Sequence, residues 1–154
     1  MTHNWDVVDE SMGGFRVRSR LNDPEEGLGF HQLVAMRPHD SRFFLLGKIS
    51  WLMCRENGSF EAGVEIMNGV AEVIPARHYS RSGHETQFEQ AFSLPEVPSL
   101  KKSATFVLPA GWFQVHRTIE VVEGKQYVQY RLLKALVRGA NFDQVTYERY
   151  TPEI

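Results

Sequence analysis

Short runs of period-two alternation between apolar and polar residues, broken by turn signals roughly every ten residues, set the pattern of this chain. The clearest run is 60–66. Phe60, Ala62, Val64 and Ile66 face one way, and Glu61, Gly63 and Glu65 the other. A second is 15–21, where Arg16, Arg18 and Arg20 share one face. Phe15, Val17 and Leu21 take the other, with the small Ser19 between them. Residues 42–55 form a longer apolar run interrupted by Gly47, and a glycine inside a strand often marks a bulge or bend. The pattern assigns Phe43, Phe44, Trp51 and Phe60 to the core. Asn57-Gly58 joins this run to 60–66 as a hairpin, since Asn-Gly supplies the positive φ of a type I′ turn.

The remaining segments are shorter. Residues 5–8 read as an extended lead-in, 22–27 as a loop, and Leu33-Val34-Ala35-Met36 as a strand stopped by Pro38, with a turn at 39–41. Asn68-Gly69 is a turn, and 70–76 is extended. Residues 77–85 are polar, basic and aperiodic, which reads as a linker or exposed loop. Residues 88–102, punctuated by Pro95 and Pro98, read as irregular. Strands follow at 104–108, 113–122, 126–132 and 145–150. Residues 131–137 can instead form one or two helical turns, because Tyr130, Leu133 and Leu136 sit at helical spacing and Gly139 can cap them. About eight or nine short strands predict an all-β protein of the barrel or sandwich type. The boundary falls near residue 84. It gives a small six-stranded antiparallel barrel over 1–84 and a smaller β-rich unit, with at most a short helix, over 85–154.

Composition narrows the class. The chain has 154 residues, 42% hydrophobic and 23% charged, as expected of a folded domain. Its net charge of −2 argues against binding nucleic acid by bulk charge. Cys54 is the single cysteine, so no internal disulfide forms, which fits a reducing, cytoplasmic setting. The polar N-terminus lacks an apolar signal region, and no apolar run is long enough to span a bilayer, so no membrane insertion is expected. The six histidines show no metal-ligand spacing, and no metal site is expected. No P-loop, Gly-x-Ser-x-Gly or His-Glu-x-x-His motif occurs, so no enzyme, no catalytic residue and no cofactor is expected.

The candidate chemistry gathers at Asp9-Glu10-Ser11-Met12-Gly13-Gly14, read as a turn that releases into the arginine-bearing strand. Gly13 and Gly14 permit positive φ or close approach of another group to the backbone. Asp9 and Ser11 offer a carboxylate and a hydroxyl, and Arg16, Arg18 and Arg20 offer planar forks. Together they suit a planar, anionic, hydrogen-bonding ligand such as a guanine nucleotide. The simpler reading is an Asx or Ser turn beside a solvated strand face.

Asp9, Ser11 and Gly14 match the Asp/Asn-x-Ser-x-x-Gly signature, and here the sequence resembles the PilZ family. Further likenesses are Leu28-Gly29-Phe30, Lys48-Ile49-Ser50-Trp51 and Gly63-Val64-Glu65-Ile66, and the resemblance covers roughly residues 5–76. It implies a six-stranded barrel acting as a bacterial receptor for cyclic di-GMP, with Asp9 and Ser11 bonding the guanine and Gly14 shaping the turn. The family's other half-site, Arg-x-x-x-Arg, precedes this motif. No arginine occurs among the eight residues before Asp9. Arg77 and Arg81 have that spacing but lie on the wrong side of it. So early a motif points to a trimmed chain, or to a domain that has lost those arginines.

Three functions follow. The first is a signalling domain that binds the cyclic dinucleotide and passes the signal to a protein partner or attached domain. The second is a degenerate adaptor that acts through protein interaction alone. The third is a nucleic-acid binder stacking bases on Trp112, Phe113 and Tyr127, which the net charge disfavours. Oligomeric state is not legible.

Overall fold

The computed structural model describes residues 5–11, 13–19, 29–37, 41–79 and 86–151. Arg20, the loop expected at 22–27, the turn residues 39 and 40, and Arg81 lie outside the described residues. The fold is all-β, and among the described residues a single 3-10 turn occurs, at Pro98–Leu100. The chain divides into two compact units, Met1–Asn68 and Gly69–Ile154.

The first unit is a five-stranded antiparallel sheet made of β1 (Trp5–Ser11), β2 (Gly14–Ser19), β3 (Leu33–Met36), β4 (Leu45–Cys54) and β5 (Phe60–Ile66). Its order is β1-β2-β5-β4-β3. One face is apolar. Val17, Ile49, Ala62 and Val64 are buried there, with Trp5, Phe15, Val34, Met36, Leu52 and Ile66 packed against them. The other face carries Arg16, Arg18, Glu61 and Glu65, as the alternation in 15–19 and 60–66 predicts. The Asn57-Gly58 hairpin forms, but not as the expected type I′ turn: only Gly58 takes positive φ, at +85°, and the Asn57 Oδ1 accepts from the Ser59 N–H at 3.0 Å.

The second unit holds the barrel. Six strands close it in the order β10-β11-β8-β7-β6-β9: β6 (Glu72–His78), β7 (Glu89–Leu94), β8 (Thr105–Pro109), β9 (Thr118–Glu123), β10 (Gln126–Arg138) and β11 (Phe142–Arg149). Ile74, Ala76, Phe106, Leu108, Ile119, Val121, Leu132 and Val145 are among the residues that fill it. Asp143 is buried at its rim and accepts hydrogen bonds from the Gly111 and Phe113 N–H groups at 3.1 and 3.0 Å, which fixes the 109–113 turn.

A six-stranded antiparallel barrel is therefore present, but the second half of the chain builds it. The division falls between Asn68 and Gly69 rather than near residue 84. The physical reason is β6. The sequence assigns it to the first unit, whereas it pairs with β7 and β9. Left with five strands, the first unit has β1 and β3 as its edges among the described residues.

Other expectations also change. Arg77 and His78 belong to β6 rather than to a linker. Arg77 is tied to the buried Glu120 through its Nε at 3.0 Å. Residues 89–94, read as irregular, are β7. At 131–137 the strand reading holds over the helical alternative, since these residues are part of β10. Two bulges explain the helical spacing. The register to β11 slips between Leu132 and Lys134, and again between Ala135 and Val137. Leu133 and Leu136 are the extra residues. Inserting one residue twice turns a period of two into an apparent period of three.

Candidate functional site

The polar face of the open sheet is arranged in cross-strand rows. One row is Asp9, Arg16, Gly63 and Trp51, contributed by β1, β2, β5 and β4 in that order. Simple alternation places neither end of it on this face. Trp5, Val7 and Asp9 share a parity, and so do Ile49 and Trp51. Alternation therefore predicts Asp9 and Trp51 on the apolar side. A bulge intervenes in each case. The β1–β2 register slips between Val7 and Asp9, making Val8 the extra residue. The β4–β5 register slips between Ile49 and Trp51, making Ser50 the extra residue. A one-residue slip moves every later side chain to the opposite face. Both bulges thus turn a residue towards Arg16.

The row is closely fitted at Gly63. A Cβ built there would lie 2.0 Å from the Trp51 Nε1 and 2.6 Å from its Cδ1 and Cε2. The indole lies against the bare glycine backbone, and Trp51 remains 40% exposed. This is a planar ring seated on the sheet with surface left to offer. The core assignment of Trp51 is overturned, and the Ser50 bulge is the reason. Phe43 is also exposed, while Phe44 and Phe60 are half-buried.

A shallow open cavity of about 320 Å³ lies over this row. Asp9, Ser11, Gly13, Gly14, Arg16 and Trp51 are among its lining residues. Asp9 and Ser11 sit in strand β1 rather than in a turn. Ser11 pairs with Gly14 across a tight hairpin, and its Oγ donates to the Gly14 carbonyl at 3.5 Å, the long limit of such a bond. Gly14 serves close approach rather than positive φ, since a Cβ there would sit 2.1 Å from the Val64 carbonyl oxygen. Arg16 and Arg18 are on the same face, as the alternation predicts. Their guanidinium groups share the carboxylate of Glu61. The Arg16 Nε lies 3.3 Å and the Arg18 Nη2 3.4 Å from its two oxygens. Arg55 joins them, with its Nε 4.0 Å from Glu61.

The structure thus brings together Asp9, Ser11, Gly13, Gly14 and Arg16, and sets Arg18 one row away. Sequence reasoning missed Trp51, Glu61 and Arg55. Gly63, a glycine opposite an aromatic in an otherwise regular strand, was the signal for Trp51. The stacking set proposed on the other half of the chain does not survive. Trp112 and Phe113 are buried in the barrel, and only Tyr127 is exposed. Among the described residues, no helix is long and apolar enough to cross a membrane.

Comparison with known families adds one finding. The family model of the FimW C-terminal beta-barrel domain matches residues 74–150. The chain belongs to that family. No curated protein and no solved structure matches it. The FimW-type match covers nearly all of β6–β11. The cavity, lined entirely by residues between Asp9 and Glu65, lies outside it.

Proposed function

We propose that this chain is a bacterial regulatory domain that binds cyclic di-GMP on the polar face of its open sheet. It passes the signal to a protein partner or an attached domain, in the cytoplasm and without catalysing a reaction. The observation that carries this reading is the row Asp9, Arg16, Gly63 and Trp51, assembled by two bulges beneath one cavity.

The row's chemistry supports a guanine. The base presents N–H donors on one edge, which the Asp9 carboxylate can accept. Its O6 and N7 acceptors suit the bidentate fork of Arg16. Its π face suits the exposed indole of Trp51. The resemblance of residues 5–76 to PilZ domains points to the same ligand, with Asp9 and Ser11 in the matching positions. The cavity, at about 320 Å³, is at the small end for ligand sites and fits one nucleoside lobe better than a whole cyclic dinucleotide.

Calorimetry on the folded chain with cyclic di-GMP tests the reading. Saturable heat is expected, with Asp9→Ala and Trp51→Ala each weakening affinity about tenfold, the scale of one lost stacking or charge-assisted contact. No heat from a folded chain would remove the nucleotide. The second reading, a protein-binding adaptor without nucleotide, is supported by the FimW-type match, which covers the barrel and leaves the cavity outside it. A partner that binds equally well with and without cyclic di-GMP would establish it.

A further inference from the structure

Beside the base row runs a second row: Arg18 on β2, Glu61 on β5 and Met53 on β4. Arg55, at the start of the β4–β5 hairpin, completes it. The hairpin holds Arg55 in place, with its N–H donating to the Ser59 carbonyl at 2.7 Å and its own carbonyl accepting from Gly58 at 3.0 Å.

The donors here outnumber the acceptors. Three guanidinium groups carry about fifteen N–H donors, while Glu61 and the register neighbours Asp6 and Asp9 together have about twelve acceptor sites. The three contacts to Glu61, at 3.3, 3.4 and 4.0 Å, are all longer than the roughly 2.7–2.9 Å of a well-made charge-assisted bond. The Arg18 Nε is buried without a hydrogen-bond partner. Arg55 keeps a third of its side chain exposed, at 33%. Asp6 and Asp9 flank β2 from the β1 side, opposite Arg18 and Arg16 in register. On the β5 side the carboxylate that Arg18 and Arg55 share is Glu61. Glu61 is only 6% exposed. It is suited to hold the guanidinium forks upright and leaves their outer N–H groups for another anion.

We propose that Arg18 and Arg55, braced by Glu61, form a phosphate subsite for the ligand whose base lies on Trp51. The proposal rests on the nucleotide reading above and extends it by adding Arg55 and Glu61. Successive residues on one face of a strand are about 7 Å apart, so the two rows stand apart on the scale of a nucleotide's base and its phosphate. The base row would select the guanine and the arginine row the phosphodiester. Glu61 is a positioning residue. It touches the arginines and not the ligand.

The test is calorimetry with three probes, cyclic di-GMP, guanosine and inorganic pyrophosphate, on the full chain and its Arg55→Gln variant. Arg55 is half-buried and only loosely paired, so Arg55→Gln should melt like the wild type. Arg55→Lys, which keeps the charge but not the fork, is the second variant, expected to fall between the two. Arg55→Gln is expected to weaken cyclic di-GMP about tenfold and to leave guanosine unchanged. Equal binding of cyclic di-GMP by wild type and Arg55→Gln would overturn the subsite and leave the nucleotide reading standing. Binding of pyrophosphate that depends on Arg55, with no response to cyclic di-GMP or guanosine, would do the reverse. It would keep the anion site and remove the nucleotide. A folded wild type that binds none of the three removes both.

Discussion

Gly63 illustrates how one residue sets the chemistry of a surface. Its missing side chain lets an indole lie on the backbone, 2.0 Å from where a Cβ would stand. In Gly63→Ala the ring has to lift, because the added carbon meets the far end of a side chain. Because the ring is 40% exposed and can move outward, the cost to the fold is small, below the roughly 1–3 kcal/mol of an overpacked core. Affinity for cyclic di-GMP should fall about tenfold, as for loss of a stacking partner. An alanine variant that binds as well as wild type would show that the indole's seat on Gly63 is unrelated to ligand. Gly14 is a different case. Its Cβ would meet a backbone carbonyl, Val64 O, at 2.1 Å, so Gly14→Ala should disturb the β2–β5 pairing itself.

At the scale of the elements, regular strands were legible and irregular ones were not. Residues 14–19 and 60–66 follow simple alternation, and their faces are as read from the sequence. The Asn57-Gly58 hairpin announces itself by turn chemistry. The bulges at Val8, Ser50, Leu133 and Leu136 carry no such mark. Each inserts one residue of ordinary type, and alternation then places the next side chain on the wrong face. Asp9 stands out in the sequence only through its motif, and the alternation places Trp51 in the core. The partner of β6 was equally hidden, since pairing between distant strands leaves no local pattern. β10 also carries a pH response. Burial, and then the hydrogen bond its hydroxyl donates to Glu123, push the Tyr130 phenol well above the usual tyrosine range. Burial likewise raises Tyr147, followed by the charge of Glu123. Both phenols stay neutral in the fold at pH values where an unfolded chain ionises, at about 10 and above. Their contribution is complete below that range and is lost as pH climbs through it. Melting temperature should therefore drop between roughly pH 9 and pH 12. The drop should be steeper in wild type than in the Tyr130→Phe/Tyr147→Phe double variant. Identical slopes would show that these two phenols are not responsible.

For the whole molecule, two units divide the features. The FimW-type barrel is built from the second, and the bulge-built cavity lies on the first. A chain of net charge −2 gathers three of its arginines around one buried carboxylate on that first unit. Charge placed so locally concerns a site rather than bulk attraction. The most direct measurement is an NMR titration of the isotopically labelled chain with cyclic di-GMP. The account predicts saturable shifts of the Trp51 indole N–H and of the Arg16, Gly63 and Arg55 amides, with the barrel residues Leu132 and Val145 unmoved. Shifts confined to barrel residues, or none on the Asp9–Trp51 row at saturating nucleotide, would contradict it.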